Sequence, residues 1–232
     1  MVTDLESIEN DLLESWSEEY KAKSFLKDGV IDSDTYIKEQ IKILFVLKEA
    51  NWPNGRADMK KYLKDPDLSR NWWKTWNNIA RWTIALLDGG NYPKNISREY
   101  RASILKRVAF INIKKEGGDN QADANELIEA AKRDKENIKK QIEMYSPDIV
   151  ICCGRNGKSN ASILREYVFM TDVSEWKQLS NSIYYYTFTN QSEKQVPIVS
   201  FFHPQMRGGH KNFEKKYNLM LDIRNELLQK NK

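Results

Sequence analysis

Apolar positions along this chain fall into two patterns: short unbroken runs, and longer stretches with helical spacing. Three runs, Ile43 to Leu47, Val108 to Ile111 and Ile149 to Cys153, are too short for typical helices. Each predicts a strand buried on both faces. Ile183 to Thr189 and Pro197 to Phe202 predict two more strands, antiparallel to each other, the second being the last core strand. Helical spacing fills the intervals. Leu5, Ile8, Leu12, Trp16 and Tyr20 form a stripe behind Thr3 and Glu6, which have capping-box spacing. Asn71 to Leu87 predicts a helix stopped by Gly89-Gly90, and 97–106 another, capped by Ser97. Asp123 and Glu126 head a long helix that must end before Pro147. Further helices are expected near 158–169 and from Phe213 to Leu228.

Strands apolar on both faces and separated by helices predict an α/β fold: a three-layer α/β/α domain with a four-stranded, mainly parallel sheet. The domain spans residues 41–232, preceded by an acidic helical extension over 1–40. Charge supports that division. Residues 1–40 hold 4 Lys and 11 acidic residues, a balance of −7, so the rest carries +11 of the net +4. An acidic element can dock a protein partner, and a basic body can meet phosphates. A solvated surface with scattered charge would give the same counts.

Composition excludes several classes. Mean hydropathy is −0.72, and no apolar run approaches the length of a bilayer span, so no membrane partner is expected. The acidic first ten residues lack the pattern of a secretory signal. The only cysteines, Cys152 and Cys153, are adjacent and point to opposite faces of a strand. They form neither a disulfide framework nor a metal cluster, and a reducing cytoplasm suits them.

Sites in open α/β sheets form outside the carboxyl ends of the strands. There the chain carries Lys48-Glu49-Ala50-Asn51-Trp52, Asn112-Ile113-Lys114-Lys115, Gly154-Arg155-Asn156-Gly157 and His203-Pro204-Gln205-Met206-Arg207. A carboxylate can orient water, an Asn amide can read the edge of a base, and a neutral His can donate to a developing oxyanion. Bland roles compete: Glu49 as a paired strand-end carboxylate, Asn112 as a turn cap, His203-Pro204 as a structural corner. Trp52 is the candidate for base stacking, or a loop aromatic covering the core. The tryptophans at 72, 73, 76 and 82 are expected in the core. Gly154 to Ser159 ends like a phosphate-binding P-loop, but Cys152 stands where the first glycine is required.

Four segments, LFVLKEANW, FINIKK, PDIVICCGRNG and SFFHPQMRGG, resemble in order and spacing the motifs of the uracil-DNA glycosylase superfamily, over roughly residues 42–225. The resemblance implies a sheet in strand order 2-1-3-4 and a monomer that flips a base out of DNA and hydrolyses its N-glycosidic bond without a cofactor. It places Glu49 near the water, and Asn112 with Gly154 at the base. His203 falls on the base carbonyl that gains charge, and Met206 and Arg207 on the loop pushed into DNA. Lys115 and Lys211 are expected to join Arg207 on phosphates. The chain departs at Lys48 and Asn51-Trp52, where the family carries glycine and proline-glycine, and at Gln205, where a small residue is usual. The cluster cysteines of the iron–sulfur branch are absent, so neither that centre nor any other metal is expected. The competing expectation is a non-catalytic module that binds nucleic acid or a nucleotide in an inherited pocket.

Overall fold

The computed structural model describes residues 4–20, 24–52, 55–67, 73–118, 123–155, 159–180 and 182–229. In chain order its strands are β1 (Leu26–Lys27), β2 (Gly29–Val30), β3 (Ile43–Leu47), β4 (Ala57–Asp58), β5 (Ala109–Asn112), β6 (Ile149–Cys153), β7 (Lys177–Ser180), β8 (Ile183–Thr189) and β9 (Gln195–Phe201). The helices are α1 (Leu5–Glu19), α2 (Ser33–Lys38), α3 (Met59–Lys64), α4 (Trp73–Leu87), α5 (Arg98–Leu105), α6 (Ala124–Arg133), α7 (Lys135–Met144), α8 (Asn160–Ile163) and α9 (His210–Ile223). Both α8 and α9 run on into π-helical turns, Leu164–Phe169 and Arg224–Gln229.

The fold is α/β, but the main sheet is larger than the expected four strands. It has seven, in the order β2-β5-β3-β6-β9-β8-β7, and it is mixed. Its four central strands, β5, β3, β6 and β9, run parallel. Antiparallel strands extend it on both sides, β2 beside β5 and the β8–β7 pair beside β9. A two-stranded parallel sheet, β1 with β4, stands apart from it. The pleat sends alternate residues of the central strands into two core layers. Phe45, Ile151 and Cys153 join Trp76, Trp82, Tyr217 and Met220 from α4 and α9. Leu44, Val46, Val150 and Cys152 join Leu13, Trp16, Leu127, Ile138 and Ile142 from α1, α6 and α7. Trp76 and Trp82 are thus core residues, meeting Phe110 and Phe201 edge to face. Trp72 and the Trp73 side chain lie outside the described residues.

Three expectations need correction. Residues before 41 are not an appendage, since β2 forms an edge of the main sheet and α1 buries Leu13 and Trp16 in its core. The α1 stripe is also rotated: Ile8 is 42% exposed, whereas Glu9 is buried. Glu9 can be inside because the Val30 amide, the Tyr145 hydroxyl and the Lys60 ammonium satisfy its carboxylate. Asp4 caps α1 by accepting from the Ser7 amide, while Thr3 lies outside the described residues. The long helix headed by Asp123 is two helices, broken at Asp134, whose buried carboxylate accepts from the Tyr20 hydroxyl. At Asp134 the backbone leaves helical geometry, with φ −101° and ψ 10°. Among the described residues, no helix is long and apolar enough to cross a membrane.

Candidate functional site

Parallel strands carry their following loops to a common edge, and here β3, β6 and β9 are neighbours. Their next residues converge on Gly154. Its φ of +108° requires glycine, and its amide donates to the Phe201 carbonyl at 2.9 Å, locking the turn to the end of β9. A Cβ at this position would lie 3.2 Å from Lys48 Cε, 3.8 Å from His203 Cδ2 and 4.0 Å from Asn160 Nδ2. A cation, an imidazole and an amide therefore surround a glycine floor, each carried by a different element.

His203 is held from two sides. Its Nδ1 accepts from the Gln205 amide at 3.1 Å, which leaves Nε2–H as the donor of the neutral ring. Loss of water around the ring, and then the nearby Lys48 charge, lower its pKa below the ordinary 6.5. The imidazole is neutral near pH 7. The loop bearing it is anchored to α4, where Asn78 Nδ2 donates to the Pro204 carbonyl at 2.7 Å. Asn160 is fully buried, and its Nδ2 donates to the Cys153 carbonyl at 2.6 Å. Its Oδ1 is buried and makes no hydrogen bond among the described residues.

The other expected residues have different partners. Glu49 has a side chain only 5% exposed, with Lys114 Nζ 3.0 Å from its Oε2 and Gly118 against its carboxyl group. Asn112 is buried, and its backbone and side-chain amides both donate to Asp28 Oδ2, at 2.7 and 3.1 Å. A buried carboxylate in need of donors has taken the amide group that would read a base. No described hydrogen bond or ion pair joins Glu49, Asn112 and His203 into one constellation.

Lys115 contradicts its expected place on a DNA surface. It is wholly buried, with Nζ 2.6 Å from Asp28 Oδ1, 2.9 Å from Gln141 Oε1 and 4.7 Å from the Trp16 ring centroid. Beyond β5 the chain turns Lys114 toward Glu49 and Lys115 inward toward α7 and α1. Trp52 is half-buried against the core and meets Tyr62 edge to face at 5.0 Å, so it covers core in this structure. Met206 is half-buried against the core, while Arg207 and Lys211 are exposed. Asn156, Gly157 and Lys158 of the P-loop-like stretch lie outside the described residues.

Sequence reasoning missed Asn160, which sits six residues after Gly154 with no motif to mark it, and Asp28, whose partners lie more than eighty residues away. It marked Lys48 only as a departure from the family's glycine. Among the described residues, no cluster of three or more His, Cys, Asp or Glu side chains could hold a metal ion. The chain matches no known family model, no curated protein and no solved structure.

Proposed function

We propose that the protein is a hydrolase acting on nucleic-acid bases, cleaving the N-glycosidic bond of a flipped, deaminated or damaged nucleotide at Gly154. The observation that carries this reading is the convergence of Lys48, His203 and Asn160 within 4.0 Å of the position a Gly154 side chain would occupy. A glycine floor lets a planar base lie against backbone. The Nε2–H of neutral His203 can donate to the base carbonyl that gains negative charge as the C1′–N bond breaks. Lys48 adds a cation at the same place, and the Asn160 side-chain amide, whose Nδ2 borders the floor, stands nearer the base than Asn112 does as the candidate to read its edge. Water supplies the oxygen that bonds C1′, and the departing base takes the electron pair. Glu49 would orient that water once a substrate draws Lys114 away. The parallel order β5-β3-β6-β9 is in keeping with the 2-1-3-4 order implied by the uracil-DNA glycosylase resemblance.

A panel of labelled oligonucleotides carrying uracil, hypoxanthine or xanthine, scored for abasic sites, tests this. Release of at least one base is expected. His203→Ala should slow it on the order of a hundredfold while changing DNA affinity little. A second reading, a binding module without catalysis, is favoured by the Asn112–Asp28 bonds and the Glu49–Lys114 pair. Tight binding of damaged DNA with no base release would select it.

A further inference from the structure

One cationic cluster lies beside the Gly154 floor but takes no part in the chemistry above. Arg155 directly follows Gly154, and Phe202 directly precedes His203. The Arg155 guanidinium carbon stands 4.7 Å from the centre of the Phe202 ring, and Lys216 Nζ, from α9, stands 3.2 Å from it. Two cations on one aromatic ring repel each other unless an anion compensates them. None of the described carboxylates does: neither Arg155 nor Lys216 has an ion pair among the described residues. Lys216 is only 9% exposed, and burial followed by the charges of Lys215 and Arg155 lowers its pKa. Among the described residues, the guanidinium makes one hydrogen bond, Nη1 donating to the Ser182 carbonyl, and a guanidinium carries further N–H groups that can meet a ligand.

We propose that Arg155 and Lys216 form a phosphate subsite that holds a phosphate ester of the nucleotide whose base lies against Gly154. This rests on the reading of the Gly154 pocket as a base site. A planar, forked guanidinium beside a compact ammonium suits a tetrahedral oxyanion. Arg155 is the next residue to Gly154 and Phe202 the next to His203, so a phosphate here and a base there belong to one nucleotide or its neighbour. The phosphate could be internal to a strand or the terminal group of a free nucleotide.

Inorganic phosphate, titrated at low salt into the 15N-labelled full chain, should shift the Arg155 and Phe202 signals. By calorimetry, thymidine 5′-monophosphate should bind at least tenfold tighter than thymidine. Arg155→Gln and Lys216→Met, the latter retaining the stem on Phe202, should each erase that ratio, and Arg155→Lys should keep most of it. An oligonucleotide without terminal phosphates distinguishes the sources. Loss of its affinity in Lys216→Met assigns the subsite to a strand's internal phosphate; no loss, with the mononucleotide ratio erased, assigns it to a free nucleotide. Equal binding of thymidine and its monophosphate, or an Arg155→Gln/Lys216→Met protein that binds phosphate like the parent, overturns the proposal. Failure of base release with phosphate binding intact would reject the hydrolase and leave this subsite standing.

Discussion

The ammonium of Lys115 lies 2.6 Å from Asp28 Oδ1, and neither side chain reaches solvent. Around the pair, Gln141 donates to Asp28 Oδ1 and to the Tyr145 hydroxyl, which donates to Glu9. One polar chain thus links α1, the stretch between β1 and β2, the segment after β5, and α7. Removing one partner of such a pair strands the other charge. Asp28→Ala or Lys115→Ala should therefore cost about 3–5 kcal/mol, read from denaturant midpoints. Neither change should act first on the salt dependence of the proposed DNA binding, which the proposal assigns to exposed cations such as Arg207 and Lys211.

Asp32, the cap of α2, sets a pH dependence. Burial pushes its carboxyl up, but hydrogen bonds from Lys64 and from the Thr35 hydroxyl and amide outweigh this and bring the pKa to about 2 from 3.8. A folded-state pKa below the unfolded one adds stability above the unfolded value and loses it as pH falls through the folded one. Lys64 is half exposed, so solvent screening limits the gain to about 1–2 kcal/mol. Asp32→Ala should be less stable by that amount at pH 6, and the gap should close between about pH 4 and pH 2 in urea titrations.

His203 tests the electrostatics of the candidate site. The chain has two histidines, so its ring is readily assigned by NMR. Because Lys48 contributes to the lowered pKa, Lys48→Met should raise it toward 6.5. The depressed value also means that the folded state loses stability as pH falls from 6.5 toward the folded pKa, and that loss should shrink in Lys48→Met. An unchanged titration in Lys48→Met would remove Lys48 from the electrostatics of the ring.

Gly154→Ala separates space from backbone strain. The added methyl meets chiefly the flexible end of Lys48 at 3.2 Å, which can move, but φ +108° remains costly for any side chain. A loss of about 1–2 kcal/mol is expected, together with loss of the proposed base release, because the methyl occupies the floor. Gly154→Ala/Lys48→Ala should recover little stability, as the strain lies in the backbone.

Much of this architecture is legible in the chain because unbroken apolar runs have few alternatives. Residues 43–47 and 149–153 can satisfy both faces only between two helical layers, and that is where they lie. Local caps are legible for a similar reason: Ser97 and Asp123 bond amides two or three residues away. Partnerships across long separations are not. Nothing near Lys115 marks it as the inward lysine of a Lys-Lys pair, since its carboxylate comes from residue 28 and its amide from residue 141. Of the strands outside the parallel four, β8 is legible, whereas β2 and β7 escape notice because β2 has two residues and β7 is largely polar and exposed. At the site, the expected Gly154 and His203 do stand together, whereas Asn112 was claimed by a carboxylate that no local pattern announces.

Adjacent in sequence, Cys152 and Cys153 end in different core layers, and burial raises the pKa of both thiols. A modifying reagent reaches either sulfur only when the layer covering it opens. The two residues are therefore a matched pair of clocks on a single strand, one timing the release of α4 and α9, the other that of α1, α6 and α7. Single-cysteine variants labelled in parallel would tell whether the helical coats of this sheet come off together or one at a time.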